Sequence, residues 1–333
     1  MQSETRIQLV SVLSDHINEG IVADRIYQEL RKRQVDVGVS PCRFSFIGEY
    51  EPYNKAASVF ADTCLVVDEL DKNIPIDRER YSVYVTWFRD TLLSSEVVSK
   101  LNHNDRPVIV PSEFCLTIMT ARGVKCPLYV IPFGVDAVAE DETIDYDMPP
   151  EGQRTRYLTK IDSTERDPEG LIESLVSLFE KSGAIFNDAE LIIKTDDILP
   201  VQVNNPNVKV MSRVIPFQRM KELYQQVDYY ISISDVSAWD MNILSAMSYG
   251  IPIIAPRFAG NMEYLSDSVG WMIPFEYGYK NGNMVSVFDE DALIDIIRDT
   301  TGRRVESKGK AAYGTAKRYT YYDFVERLMD VIS

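Results

Sequence analysis

Histidine and cysteine are scarce in this chain of 333 residues, which has two of the first and four of the second. Cys42, Cys64, Cys115 and Cys126 are scattered and form no C-x-x-C pair. Two histidines are too few to complete a zinc site with them, so neither a disulfide framework nor a structural metal is expected to organise the fold. No run approaches the roughly 18 apolar residues that a membrane span requires. No basic-then-apolar leader opens the sequence, and a cytoplasmic protein is expected. Positive charge is also in deficit: the formal net charge is -16, which argues against broad nucleic-acid binding. One segment departs from this. Arg303, Arg304, Lys308, Lys310, Lys317 and Arg318 face a single acid, Glu306, and read either as a solvated helix face or as a local polyanion patch.

What is present is enough apolar residue, 45%, to build two cores of ordinary size. The run Ile7 to Leu13 is β-branched and apolar, a polar break follows, and Ile21, Val22, Ile26 and Leu30 then recur at helical spacing. Short apolar runs return at Leu65 to Val67, Ser82 to Thr86, Val108 to Val110 and Tyr129 to Ile131. The acidic, proline-containing stretch Ala139 to Gly152 suits a linker and divides the chain into 1–148 and 149–333. Beyond it, strands are predicted at Arg156 to Ile161, Leu191 to Lys194, Val208 to Met211, Tyr229 to Ile233 and Ile251 to Ala255. Helices such as Pro168 to Lys181 and Gln218 to Val227 lie between them. Strands alternating with helices give an α/β fold of two Rossmann-like domains, each with its ligand loops at the carboxyl ends of its strands and the two facing across a cleft.

Three ordered blocks close the first half: Val110-Pro111-Ser112-Glu113-Phe114, Ala121-Arg122-Gly123-Val124 and Val130-Ile131-Pro132-Phe133-Gly134-Val135-Asp136. A fourth runs from Ser237-Ala238-Trp239-Asp240-Met241-Asn242 through Ser245 to Gly250-Ile251-Pro252, and Gly260-Asn261-Met262-Glu263-Tyr264 and Gly270-Trp271-Met272 follow. In these blocks the chain resembles the family 4 glycosyltransferases of GT-B architecture, best over Tyr84 to Pro274. The resemblance implies a retaining enzyme that uses a nucleotide-sugar, with UDP favoured, as co-substrate, and needs neither a metal nor another cofactor. It also implies that the last helix packs back on the acceptor-side first domain.

The chain departs from the family at chosen places. Two glutamates with seven residues between them usually mark the fourth block, and here those positions are Ser237 and Ser245. A serine hydroxyl cannot make the bidentate contact of a carboxylate; Asp235 and Asp240 stand nearby. A block that usually holds two adjacent basic residues keeps only Arg166, in Glu165-Arg166-Asp167-Pro168. Lys160, Arg166 and Lys194 are the cations expected to meet a leaving diphosphate, with solvated loop charges as the plain alternative. The donor is assigned to Lys194, Ser237, Trp239, Asp240, Met241, Asn242, Ser245, Gly260, Asn261 and Met262. For the two serines the competing role is a helix cap, and for the last three residues a simple turn. The usual glycine-rich acceptor loop is reduced to Glu19-Gly20. His16, Trp87 and Arg89 join it on the acceptor side, with His16 read as a base or a structural hydrogen-bonder and Trp87 as cleft or core.

The leading reading is transfer of a sugar to a hydroxyl of a saccharide or protein. A hydroxylated base in DNA is the alternative acceptor, motivated by the basic C-terminal segment. A GT-B-like module that binds a sugar-nucleotide or a partner without turnover is the alternative outside the enzymes, and loss of both glutamates is its motive. Lipid-linked acceptors and epimerase chemistry rank below these.

Overall fold

The computed structural model of the protein describes residues 6–14, 18–45, 62–70, 81–89, 91–136, 154–161, 168–184, 188–196, 203–215 and 217–333. The expected linker over Ala139 to Gly152, and with it His16 and Arg166, lies outside them.

The first domain holds β1 (Arg6–Ser14), α1 (Asn18–Lys32), β2 (Asp36–Ser45), β3 (Thr63–Glu69), β4 (Val83–Trp87), α2 (Ser95–Asn104), β5 (Val108–Val110), α3 (Glu113–Ala121) and β6 (Leu128–Val130). Its strands form one parallel sheet in the order β2-β1-β3-β4-β5-β6. Every residue of β4 and β5 is buried, as expected of parallel strands covered on both faces. Helix α1 turns Val22, Ala23, Ile26 and Leu30 inward at three- and four-residue spacing. Ser94 and Ser112 cap α2 and α3 through Val97 N and Cys115 N. Strand β2, which the sequence reading misses, sits at the sheet edge. Its Pro41 is tolerated there, beside a register shift at Ser11/Val12.

The second domain continues with β7 (Thr155–Ile161), α4 (Pro168–Ser182), β8 (Ala189–Thr195), β9 (Val208–Ser212), α5 (Phe217–Tyr224), β10 (Tyr229–Ile231), α6 (Met241–Ser248), β11 (Ile253–Pro256) and β12 (Gly270–Ile273). These strands are parallel in the order β12-β11-β10-β7-β8-β9. An antiparallel hairpin follows, β13 (Phe275–Lys280) with β14 (Asn283–Phe288), and then α7 (Glu290–Thr300), α8 (Glu306–Ala316) and α9 (Tyr321–Ile332). The hairpin was not expected from sequence. One side of this sheet is filled by Tyr157, stacked 5.3 Å from Tyr229 and edge-on to Phe179. The Tyr157 hydroxyl is satisfied by Thr300 at 2.8 Å and Thr301 at 3.0 Å.

The chain end crosses to the first domain. Phe324 of α9 packs on Phe133 at 5.7 Å, and Arg327 Nη2 and Arg33 Nη2 donate to Val130 O and Tyr322 O. Gly134 lies so close to Tyr321 that a Cβ there would stand 2.2 Å from its backbone nitrogen. Among the described residues no helix is long and apolar enough to cross a membrane.

Candidate active site

Both sheets reverse their strand order, the first between β1 and β3 and the second between β7 and β10. A crevice opens at such a switch point, beyond the carboxyl ends of the strands. Thr159, Lys160 and Ile161 end β7 and Ser232, Ile233 and Ser234 follow β10. With Arg89 from the first domain, these line a compartment of about 510 Å³. A second compartment of about 580 Å³ is lined by Ile21 and Arg25 of α1, Gly134 to Asp136, Asp196, Ile215, Met220, Tyr224, Ser245 and Tyr321. Asn18, Lys160, Met241 and Asn242 line both, so the two are parts of one cleft with Lys160 at the junction.

The amino end of α6 is built into this junction. Asp240 caps the helix, its Oδ1 accepting from Asn242 N at 2.9 Å and Ile243 N at 3.2 Å. Its own N–H donates to the Tyr264 hydroxyl at 3.1 Å. The first turns of α6 and α1 meet at the cleft through Met241, Asn242 and Asn18, so the positive ends of two helix dipoles face it, that of α6 beside its Asp240 cap. Trp239 lines the smaller compartment and packs edge-on against Tyr264 and Tyr319 at 5.1 and 5.3 Å. Its buried Nε1 has no hydrogen-bond partner among the described residues. Gly260 supports this loop from behind, donating to Ser237 O at 2.9 Å; a Cβ at Gly260 would stand 1.7 Å from Ala238 O. Asn261 is buried and accepts from the Tyr264 hydroxyl at 2.5 Å, while Met262 is exposed.

The cations differ from the expected trio. Lys160 is 9% exposed, faces both compartments and lies 3.5 Å from Asp196 Oδ2. Lys194 is not on the cleft floor: it is fully buried, donating to Asp196 Oδ1 at 2.5 Å and to Thr195 O at 2.9 Å. It lies behind Asp196, which holds Lys160. Arg25 binds Asp136 through Nε at 2.7 and 2.8 Å and lies 2.5 Å from Asp24. Burial works against its charge, but Asp136 and then Asp24 outweigh it, and the guanidinium is held above its usual pKa.

Ser237 lines the smaller compartment and Ser245 the larger. Neither caps α6, because Asp240 does. The carboxylates sharing the compartment of Ser245 are Asp136 and Asp196 rather than Asp235 or Asp240. Arg89 reaches the cleft and lies 3.8 Å from Glu69. Trp87 belongs to the core, edge-on to Phe133 at 5.1 Å. Glu19 and Gly20 occupy the first turn of α1, where Asn18 and Ile21 are the residues that reach the cleft.

The basic C-terminal segment is largely spoken for. Arg304 pairs with Asp228 at 3.1 Å, Lys310 pairs with Glu306, Lys317 lies 5.4 Å over the Tyr313 ring, and Lys308 donates to Asp267 O and Gly270 O while lying over Trp271.

Two parallel Rossmann-like sheets with a cleft at their strand ends define the GT-B architecture. Residues 157–301, the span that holds Lys160, Ser237 and Ser245, match the family model described as glycosyl transferases group 1. No curated protein matches the sequence. Among solved structures, WaaG, a glycosyltransferase involved in lipopolysaccharide biosynthesis, superposes with a TM-score of 0.66 at 12% identity, over 98% of this chain and 99% of its own. Sucrose-phosphate synthase from Thermosynechococcus elongatus follows at 0.65 and 11%, over 98% of each chain. Anabaena HepE, solved in complex with UDP, gives 0.63 and 12%, over 98% and 99%.

Proposed function

We propose that the protein is a retaining glycosyltransferase that takes a sugar from a nucleotide donor, with UDP favoured, and places it on a hydroxyl of a saccharide or protein. The observation that carries this reading is Lys160, set between two compartments beside the amino ends of α1 and α6. The larger compartment, with Tyr224, Ile215 and Ser245, suits a nucleoside. The smaller, with its hydroxyls and Arg89, suits the sugar and the incoming acceptor. The diphosphate then lies at the junction, where Lys160 and the helix dipoles stabilise the charge that develops as the bond to the sugar breaks. No metal or other cofactor is needed in this scheme. The complex of HepE with UDP supports the choice of nucleotide.

A thermal-shift screen against UDP-, GDP-, ADP- and CMP-sugars, with and without magnesium, tests it. Selective stabilisation by one donor, abolished in Lys160→Ala, is the expected result; no shift with any donor turns the reading toward a non-catalytic module.

A further inference from the structure

The hairpin β13–β14 carries the two most exposed large hydrophobic side chains among the described residues, Tyr277 at 68% and Tyr279 at 78%. They stand two residues apart on one strand, hence on one face and about 7 Å from each other. The position of that face is fixed by what the opposite strand holds. Ser286, the register partner of Tyr277, donates its backbone N–H to Asp235 O at 2.8 Å, next to Ser234 of the smaller compartment. Met284, the partner of Tyr279, donates to Thr91 Oγ1 at 2.8 Å, two residues from Arg89 on the other wall of the same compartment. Asn283 adds a bond from Leu92 N at 3.0 Å. The hairpin is therefore a strap beside the smaller compartment, tied to one loop from each domain.

Tyr277 is rooted in a small aromatic cluster, 6.0 Å from Phe258 and 5.6 Å from Phe275, that also includes Val236 of the cleft loop. Such a base holds the ring in place at little further entropic cost. An exposed pair of aromatic rings beside a cleft, one of them held by its neighbours, is a binding feature. The flanking charges, Glu276 and Lys280, are one of each sign, so nothing on the strap attracts a polyanion or an anionic lipid surface. The ligand chemistry that fits is a neutral pyranose: its C–H face stacks on the ring, and its hydroxyls reach the phenol oxygens.

We propose that Tyr277 and Tyr279 form a saccharide-binding platform beside the cleft, receiving acceptor sugar units that lie outside the reacting one. The proposal rests on the glycosyltransferase reading and adds an acceptor subsite supplied by the second domain. Binding of the full chain to an array of defined neutral oligosaccharides tests it, alongside the thermal shift given by UDP in the same preparations. The wild type is expected to bind one glycan class, and Tyr277→Ala/Tyr279→Ala to bind it at least tenfold more weakly with the UDP shift unchanged. Tyr277→Phe/Tyr279→Phe is expected to keep most of the binding. Glycan binding that is equal in the alanine variant overturns the platform, as does a wild type that binds no glycan. A self-association abolished by the alanine changes overturns it too, assigning the face to a second copy. Loss of the UDP shift in the wild type itself strikes the transferase reading, independently of the glycan result.

Discussion

The carboxylate of Glu263, on the turn after β11, accepts the backbone N–H of Glu113 at 2.6 Å and so links the second domain to the first turn of α3 in the other. Burial raises the pKa of Glu263; the Glu113 N–H lowers it and the Glu113 carboxylate raises it again. A carboxyl group with a raised folded pKa favours the folded state most when protonated. Its contribution is thus full below the unfolded pKa and declines as pH rises through the folded one. Glu263→Gln keeps an acceptor for Glu113 N–H without the charge. The variant is expected to match the wild type in melting temperature near pH 4 and to exceed it near pH 8; the opposite order contradicts the assignment.

Lys160→Ala removes the cation at the junction of the two compartments and little of the core. Loss of one preorganised group that stabilises developing negative charge costs about 10²–10³ in turnover. Steady-state transfer should fall by about that factor while the melting temperature moves by only a few degrees. A rate within threefold of wild type removes the phosphate role.

The cap of α6 separates stability from chemistry. Asp240→Ala loses the bonds to Asn242 N and Ile243 N, for about 1 kcal/mol. Asp240→Asn retains an acceptor and should restore most of this in urea unfolding. If the alanine and asparagine variants unfold alike, the cap is not what holds the amino end of the helix at the cleft.

Gly260→Ala sets a methyl group against Ala238 O, far inside the contact distance of non-bonded atoms. The loop carrying Ser237 and Trp239 must shift, and overpacking of this kind costs about 1–3 kcal/mol. Weaker UDP binding with a lowered melting temperature is the expected pair of effects. Donor affinity that survives the change shows that the loop position is immaterial to the nucleotide.

Much of the fold is legible in the sequence because buried parallel strands are near-continuous apolar runs, as Tyr229 to Ile231 and Val108 to Val110 show. Strand β2 is not, since Gly38, Pro41 and Arg43 break its pattern, and it is held by pairing to β1 and by the burial of Val37 and Val39. The hairpin is hidden for a related reason: Phe275 to Phe288 is tied by Thr91 and Asp235, which lie far away in sequence. In the cleft, motif spacing points to Ser237 through Ser245. Arg25, Asp136, Asp196 and Tyr321 come from four separated segments, and only Asp136 lies in a recognisable block, so their meeting is a product of topology. Lys194 shows the limit from the other side: its strand-end position is read correctly, but the direction of its side chain is set by Asp196.

That last pair gives a prediction about stability. Lys194 is 0% exposed, and Asp196 is the carboxylate that holds its ammonium group. Asp196→Ala would keep the buried charge and remove its acidic partner, a change that costs about 3–5 kcal/mol in a buried pair. Removing the charge as well should be far milder, because Lys194→Met fills the same space with an apolar chain. Lys194→Met/Asp196→Ala is therefore expected to recover most of the stability lost by Asp196→Ala alone in urea unfolding. It should not recover transfer activity, since Asp196 also lies 3.5 Å from Lys160 at the junction of the cleft. A double variant as unstable as the single one would mean that Asp196 holds the loop by contacts other than its bond to Lys194. A double variant with full activity would mean that Lys160 needs no carboxylate to hold its place.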